Sequence, residues 1–176
     1  LDPRALFAER AFPLYAAERP VAVSPDPGGV KRAQLFEETL RSRHPHVTGR
    51  AILDKRRSAG VVSGELLAGD VEGAVPIIVD DLISSGGTIA RGAEALVAAG
   101  AATPWVAVAH GVFSEAAAAK LGAAPLARLL VTDSVQPARL DRTALPILET
   151  VGCAPVMAAA IKGLHEGRPI DVLTRG

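Results

Sequence analysis

The sequence has 176 residues, of which 49% are hydrophobic and 22% charged, and its 19 basic side chains balance its 19 acidic ones. This length and apolar content predict one compact domain, and they exclude both an intrinsically disordered protein and a disulfide scaffold. Zero formal net charge excludes a whole-molecule field that attracts nucleic acid or an anionic membrane, so any anion must bind at a local site.

Residues 1–20 precede the first predicted strand and show no apolar pattern large enough for a core of their own. We interpret them as a connector from an upstream half, and residues 21–176 as the domain that carries the chemistry. The chain begins at Leu1 without an initiator methionine, in line with the expectation that it is part of something longer.

From residue 21 onwards, short β-branched runs alternate with Ala-rich helical stretches, as in βα units on a mostly parallel sheet. The sequence therefore predicts a doubly wound α/β fold. The predicted strands span residues 21–24, 51–53, 75–80, 105–109, 129–132 and 146–148, and the predicted helices span 30–41, 88–99, 114–121 and 155–164. On the first of these helices the apolar spacing turns Arg32 and Glu37 mostly outward.

The loop after the first predicted strand, residues 24–29, ends in two glycines and opens the first predicted helix. At such a helix start, Gly28 and Gly29 can present backbone amides to an anion. Asp26 is placed to ligate a metal ion that accompanies the anion, since hard cations prefer oxygen ligands. Taken alone, Asp-Pro-Gly-Gly is also an ordinary turn. A second glycine-rich loop, residues 84–88, follows a later predicted strand and is described below. Taken together with that loop, residues 24–29 predict a pyrophosphate site.

Three consecutive cations, Lys55, Arg56 and Arg57, follow the second predicted strand. Extended backbone sends Lys55 and Arg57 to one side. Two positive charges at one place can neutralise the charge that develops on transferring phosphoryl oxygens. The alternative interpretation is a solvated basic strand end.

The strongest signal begins where the predicted strand 75–80 ends, with Asp80 and Asp81. The loop and helix start that follow contain Ser84, Ser85, Gly86, Gly87 and Thr88. Backbone amides at a helix N-terminus favour a phosphate, and the glycines let the backbone approach it closely. The two carboxylates can accept hydrogen bonds from vicinal sugar hydroxyls or hold Mg²⁺. These features predict a phosphorylated sugar as the ligand, and the alternative is an ordinary helix cap beside a solvated acid pair.

The remaining polar candidates carry less information. His44 and His46 flank a proline and have no third ligand nearby in the sequence, so a surface turn is favoured over a metal site. His110 follows an apolar strand, where both active-site residues and structural histidines occur. Ser114 is predicted to cap the third helix, and Cys153 has no sequence-local base to activate it.

Compartment is indicated by two further features. The single cysteine, Cys153, cannot form an internal disulfide, which suits a reducing environment. No apolar run approaches the ~20 residues that a bilayer-spanning helix needs. We therefore expect a cytoplasmic protein that binds neither nucleic acid nor a membrane.

Six motifs resemble, in matching order, the C-terminal half of ribose-phosphate pyrophosphokinase, also called phosphoribosyl pyrophosphate synthetase. They are SPDPGGVKRA at 24–33, DKRR at 54–57, GDVEG at 69–73, VDDLISSGGTI at 79–89, HGVFS at 110–114 and VTDS at 131–134. The resemblance implies a phosphoribosyltransferase type I domain, which this family duplicates to make one subunit. It also implies a transferase of nucleotide biosynthesis that moves the diphosphoryl group of Mg-ATP to the anomeric hydroxyl of ribose 5-phosphate and releases AMP.

Carried over by position, the family's site assigns a role to each candidate residue. The ribose hydroxyls meet Asp80 and Asp81, and the 5-phosphate is enclosed by residues 84–88. The residues implied for the pyrophosphoryl group are Asp26, Gly28 and Gly29, with Asp26 also on Mg²⁺. The residues implied for stabilising the transfer are Lys55 and Arg57.

Two departures and one missing part qualify the resemblance. Many family members carry Asp-Thr at the positions of Ser84 and Ser85, so this phosphate loop lacks a carboxylate. Pro27 replaces a small residue or histidine and stiffens the pyrophosphate loop. The family's N-terminal half supplies much of the ATP site and a metal-binding histidine, so we expect this domain to be inactive alone and to act within a homo-oligomer.

Two alternative functions stay open. A phosphoribosyltransferase that joins phosphoribosyl pyrophosphate to a nucleobase shares the acid pair and the phosphate loop, although the HGVFS and DKRR segments match the synthetases. A non-catalytic regulatory paralogue would bind the same ligands, and the presence of Lys55 and Arg57 argues against it.

Overall fold

The computed structural model describes residues 2–15, 19–43, 49–58, 61–136, 140 and 143–170, with the backbone alone for 12–15, 55–58 and 61–66. The helices in these ranges are α1 (Arg4–Tyr15), α2 (Val30–Arg43), α3 (Gly87–Ala98), α4 (Ala117–Ala123) and α5 (Ala154–His165). The strands are β1 (Pro20–Ser24), β2 (Arg50–Ser58), β3 (Val61–Ala68), β4 (Val75–Ile83), β5 (Trp105–Gly111), β6 (Arg128–Thr132) and β7 (Leu148–Val151). None of these helices is long and apolar enough to cross a membrane.

The strands form a single sheet in the order β3-β2-β1-β4-β5-β6-β7. All neighbours pair in parallel except β2 and β3, which pair antiparallel at one edge. The strand order reverses between β1 and β4, so the carboxyl ends of these two strands form the switch point where ligand crevices occur in such sheets. The predicted doubly wound, mostly parallel α/β fold is confirmed.

Helices cover both faces of the sheet, because successive strand residues point to opposite faces. The core on one face joins α1 and α2 to the sheet through Phe7, Phe36, Leu40, Ile77 and Val79. The core on the other face joins α3 and α4 to it through Val23, Ile78, Ile89, Leu96 and Leu121. The helices that follow β1 and β4 therefore leave the switch point in opposite directions.

The edge hairpin of β2 and β3 was not predicted in full. The predicted strand 51–53 extends to Ser58, and residues 61–68 return as β3, which the sequence analysis missed. The charged run 54–57 and the polar Ser63 and Gly64 hide the apolar pattern that a buried strand shows. Among the smaller differences, β7 starts at Leu148 rather than 146, α4 starts at Ala117 rather than 114, and β4 runs to Ile83 rather than ending at 80.

Residues 1–20 were interpreted as a connector, and helix α1 within this segment packs against the domain. Phe7, Ala8 and Ala11 are buried and belong to the core that α2 and the sheet form. The helix thus folds with the domain whose predicted start was residue 21, and β1 begins at Pro20.

Glu37 was predicted to face solvent and is instead buried. Its carboxylate forms ion pairs with Arg41 on the same helix and with Arg50 Nε on β2, the latter at 2.7 Å. The prediction was wrong because its partner Arg50 comes from a strand that local periodicity cannot bring near. A carboxylate is tolerated inside the domain when it is paired in this way.

We expect Leu96→Ala to lower the free energy of unfolding by about 2–5 kcal/mol, because Leu96 is fully buried on α3 and its truncation leaves a cavity. Leu164→Ala on α5 is the matched control, since Leu164 is 64% exposed and its loss should change stability by less than about 0.5 kcal/mol. Urea unfolding of both variants measures the difference. Equal losses would contradict the layer assignment.

Candidate functional site

The candidate site lies at the switch point, between the loop after β1 (residues 24–29, the β1 loop) and the segment that ends β4. Val23 of β1 pairs with Ile78 of β4, so Ser24 and Asp80 lie close to the same point along the sheet. β1 ends at Ser24, whereas β4 continues to Ile83. Asp80 and Asp81 therefore lie inside β4, past the end of the neighbouring strand, where the sheet opens on that side.

The β1 loop is a compact turn held by its own polar groups. The Ser24 hydroxyl donates to the Asp26 carbonyl oxygen at 2.6 Å, and the Gly29 amide donates to Asp26 Oδ1 at 3.0 Å. Pro27 opens the short 3-10 turn that Asp26 caps. The Gly29 amide is thus engaged by Asp26 in this form of the protein, so the anion-binding roles of Gly28 and Gly29 stay predictions. Asp26 keeps its second oxygen, Oδ2, for other partners.

Gly29 also makes room for two side chains. A Cβ added at Gly29 would lie 2.6 Å from Ser24 Oγ and 3.1 Å from Arg32 Nη1. The first separation is shorter than a carbon atom tolerates, and the second is a tight contact that would push the Arg32 side chain away. Glycine here thus keeps the turn closed and lets the Arg32 guanidinium lie against the backbone.

Asp80 and Asp81 share one cation. Arg32 Nη1 lies 2.7 Å from Asp80 Oδ1, and Arg32 Nη2 lies 2.7 Å from Asp81 Oδ2. The Asp81 backbone N–H also donates to Asp80 Oδ1, at 2.8 Å. The sequence analysis placed Arg32 outward, and that prediction was wrong. Its position in the first turn of α2, directly after the β1 loop, is the signal that could have indicated a place in the crevice.

Burial sets the electrostatic character of the acid pair. The Asp80 side chain is 17% exposed and that of Asp81 is 68% exposed. Loss of solvent is the largest effect and raises the pKa of Asp80 to about 6, with the neighbouring Asp81 acting in the same direction. The Asp81 amide and the Arg32 guanidinium oppose the rise in this pKa. Asp80 therefore takes up a proton at a higher pH than an ordinary carboxyl group does.

Residues 84–88, the β4 loop, lead from β4 into α3. Gly86 caps the helix in a left-handed conformation (φ 73°), which glycine adopts without strain. A Cβ there would also lie 2.6 Å from Leu121 Cγ of α4. Gly86 supplies no side-chain cap to the first N–H groups of α3, and the role of these groups as donors for an anion stays a prediction. Ser84 and Ser85 are exposed beside them.

The β4 loop is braced by the segment that follows β5. The amides of Val112 and Phe113 donate to the Ile83 carbonyl oxygen, and the Ser114 amide donates to that of Ser84. Ser114 was predicted to cap α4, but the residue before that helix is Ala116. Ser114 instead joins two loops at the carboxyl edge of the sheet.

Lys55 and Arg57 lie on the part of β2 that extends beyond the sheet's carboxyl edge. Ile52 pairs with Ser24, the last residue of β1, so Lys55 lies roughly 10 Å further along the strand. The pairing with β3 is irregular between Lys55 and Arg57. The structure describes only the backbone of these residues, and their catalytic role stays a prediction. His44 and His46 lie outside the described residues.

Two cavities open along the carboxyl edge. The smaller, of about 240 Å³, is lined by Arg32, Asp80 and Asp81 together with Phe36 and His110. The larger, of about 710 Å³, lies at the ends of β5, β6 and β7 and shares His110 with the first. His110 Nδ1 lies 2.7 Å from Ser134 Oγ, which gives this histidine a definite hydrogen-bond partner on the wall between the cavities.

The described residues contain no group of three or more His, Cys, Asp or Glu side chains that could hold a metal ion. Cys153, predicted to be inert, is partly buried and precedes α5, and its amide donates to Asp133 Oδ1 at 2.7 Å. Asp26, Asp80 and Asp81 do not form such a group. Asp26 alone stays the predicted ligand of a Mg²⁺ ion, which in proteins commonly draws most of its ligands from water and substrate.

Comparisons with known proteins show the family of the chain. Residues 65–175 match the phosphoribosyl synthetase-associated domain family. The chain is 36% identical over 169 residues to ribose-phosphate pyrophosphokinase of Granulibacter bethesdensis, covering 96% of this chain and 52% of that protein. It is 36% identical over 160 residues to ribose-phosphate pyrophosphokinase A of Dictyostelium discoideum, covering 90% of this chain and 48% of that protein.

A solved structure shows the same fold. The chain superposes on phosphoribosylpyrophosphate synthetase from Mycobacterium smegmatis with a TM-score of 0.79 and 30% identity, covering 94% of this chain and 51% of that one. The chain thus spans about half the length of the relatives that it matches.

The conformation of Gly86 leads to a paired substitution test. Gly73 also has a left-handed backbone (φ 64°), but a Cβ there meets nothing within 4 Å. We expect Gly73→Ala to cost roughly 1–2 kcal/mol. Gly86→Ala should cost about 1–3 kcal/mol more through its contact with Leu121. Urea unfolding gives the stabilities, and NMR titration with inorganic phosphate should show weaker binding for Gly86→Ala alone. Equal phosphate affinities would contradict the assigned anion site.

The raised pKa of Asp80 predicts a pH dependence of stability. Its pKa is about 6 in the folded protein against an ordinary value of 3.8, so the folded state holds this proton more tightly. The stability that Asp80 contributes is therefore complete below about pH 4 and is lost as pH rises through about 6. Asp80→Asn should remove that part of the pH dependence in urea unfolding between pH 4 and 7. Parallel profiles for the two proteins would contradict the shift.

Proposed function

Because the chain belongs to the phosphoribosyl synthetase-associated domain family, we propose that it is the sugar-phosphate-binding half of a ribose-phosphate pyrophosphokinase. In the proposed reaction the anomeric oxygen of ribose 5-phosphate attacks the β-phosphorus of ATP. The bond from that phosphorus to the α–β bridging oxygen breaks, AMP leaves, and phosphoribosyl pyrophosphate forms. The main support for the proposal is that Asp80 and Asp81 on β4 are followed by a helix, α3, whose N-cap residue is Gly86.

We assign the sugar phosphate to the crevice because donors for its phosphate and acceptors for its hydroxyls follow one another along β4 and the β4 loop. Residues 84–88 would hold the 5-phosphate through amides at the start of α3 and through hydroxyls. Arg32 engages one oxygen of each carboxylate, Asp80 Oδ1 and Asp81 Oδ2. The other two oxygens are then acceptors for neighbouring hydroxyls, as a ribose ring presents them.

The diphosphoryl group is assigned to the β1 loop with Mg²⁺. Asp26 Oδ1 is used by the turn and Oδ2 is available, so a single carboxylate of this loop would reach the ion. Mg²⁺ is commonly held by one or two carboxylates with water and substrate phosphates, so Asp26 fits it. When bound, the ion would neutralise phosphate charge, while Gly28 and Gly29 would let the phosphate oxygens approach the backbone.

Lys55 and Arg57 are proposed to stabilise the charge of the transferring group. Their strand extends past the carboxyl edge on the β1 side, next to the β1 loop. We propose that this end of the hairpin lies close enough to the β1 loop for the two cations to meet the transferring group. Most catalysis of phosphoryl transfer comes from such positioning and charge stabilisation.

The chain covers about half the length of its relatives, so we propose that further parts of the enzyme complete the site. The relatives are about twice its length, and we assign the adenine site and the remaining catalytic groups to the other half and to a homo-oligomeric assembly. The domain alone would then bind ribose 5-phosphate without turnover. The proposed setting is the cytoplasm, which the free Cys153 suits.

The proposal is tested in a full-length protein that contains this chain. With ATP and ribose 5-phosphate, we expect AMP and phosphoribosyl pyrophosphate in equal amounts. Lys55→Ala should lower kcat at least ~100-fold, about 2.7 kcal/mol, and change ribose 5-phosphate affinity less. Lys162→Ala on the exposed side of α5 is the control and should behave as the parent.

Three results would contradict these assignments. Pyrophosphate release from phosphoribosyl pyrophosphate and a nucleobase, without AMP formation from ATP, would indicate a phosphoribosyltransferase. Binding of both ligands with no turnover by the full-length protein would indicate a regulatory paralogue. A Lys55→Ala variant that raises KM at unchanged kcat would make Lys55 a ground-state binding residue.

A further inference from the structure

We propose that Arg32 is a positioning residue whose planar fork holds Asp80 and Asp81 side by side, so that the pair selects a sugar with vicinal hydroxyls. The inference rests on the proposed function and adds a specificity role for a residue outside the acid pair and both loops. Its basis is the pair of 2.7 Å contacts from the two terminal nitrogens of one guanidinium to two different carboxylates.

The acid pair concentrates negative charge at one place in the crevice. Two adjacent carboxylates repel each other, and Asp80 is also largely removed from solvent. The other arginine on the wall of this cavity, Arg4, is ion-paired with Asp2 at 2.7 Å. Among the described residues lining the cavity, Arg32 is therefore the cation that contacts the pair.

Arg32 lies at a position in its helix that does not favour a cation. It occupies the first turn of α2, where the partial positive charge of the helix end disfavours a cation. Both ion pairs offset that cost. The position also brings the guanidinium against Gly29, so Arg32 connects the β1 loop to the acid pair on β4.

The planar guanidinium of Arg32 has a geometry suited to two carboxylates. A guanidinium presents its N–H donors in one fixed plane, whereas a lysine ammonium is a compact point charge. Contact with Asp80 Oδ1 and Asp81 Oδ2 fixes the rotation of both carboxylates, and hence the direction of the two remaining oxygens. Two acceptor oxygens at a fixed separation can each accept a hydrogen bond from one of two neighbouring hydroxyls. A sugar that lacks one of these hydroxyls leaves one acceptor without a partner and should bind more weakly.

The experiment compares ribose 5-phosphate with 2-deoxyribose 5-phosphate by isothermal titration calorimetry. We expect Arg32→Ala to weaken ribose 5-phosphate binding by roughly 10–100-fold, the range seen when a group that orients a ligating side chain is removed. Binding of the deoxy sugar should weaken less, so the preference for ribose falls. Arg32→Lys should restore part of the affinity and little of the preference. Arg43→Ala, at an exposed position on the same helix, should keep both.

The outcomes separate positioning from other roles. Equal weakening of both sugars by Arg32→Ala would show a merely structural role and overturn the proposal. If Arg32→Lys kept the affinity and the sugar preference of the parent, a positive charge alone would suffice. That result would contradict the role proposed for the planar guanidinium. A parent protein that binds neither sugar would count against the proposed function instead.

In that last case the contact is still tested without a ligand. A double-mutant cycle of Arg32→Ala with Asp80→Asn in urea unfolding should show a coupling of at least ~5-fold in the folding equilibrium constant. Additive effects would mean that Arg32 does not hold Asp80 in the free protein, and the proposal would fail independently of what the crevice binds.

Discussion

The parallel pairing of β1 with β4 is the constraint from which the candidate site follows. It sets Val23 beside Ile78 and thereby brings the β1 loop next to Asp80, although some 50 residues separate them in the sequence. The helices after these strands leave to opposite faces, so their N-termini flank one crevice. A slip of one residue in this register would turn every side chain of β4 to the other face and take Asp80 out of the crevice.

The residues at the crevice were predictable to different degrees, and the difference is the range of the interactions. Asp80 and residues 84–88 stand together in one continuous stretch, so a buried strand, an acid pair and a glycine-rich helix start could be recognised locally. Arg32 and Glu37 could not be placed in this way. Arg32 meets carboxylates about 50 residues away, and Glu37 meets Arg50 on β2.

The fold was predictable for a related reason. Strands buried on both faces, such as β4 and β5, show continuous apolar runs that identify them from the sequence alone. The β2–β3 hairpin is an edge element with a charged end, and β3 has one sheet neighbour. Its formation depends on pairing with β2 rather than on its own apolar pattern, and this is why the sequence analysis ended the strand at residue 53.

Several residues at the site conflict with the preferences of their local environment. Asp80 is a carboxylate held away from water, Arg32 is a cation at the start of a helix, and Gly86 begins α3 with no side chain to cap it. Asp80 and Arg32 each conflict with a local preference and place a charge at the crevice, and Gly86 leaves the first amides of α3 without a side-chain cap. Such conflicts with local preference are typical of functional sites, where stability is exchanged for chemistry.

The brace between the β4 loop and the segment after β5 has a consequence for how the domain opens. Three amides, those of Val112, Phe113 and Ser114, donate to the carbonyl oxygens of Ile83 and Ser84. Because rupture of these hydrogen bonds would release the loop that leads into α3, we expect the two segments to open as one cooperative unit. Their amide hydrogens should exchange with solvent together, and an anion bound at the start of α3 should slow the exchange in both segments, including the one that it does not touch.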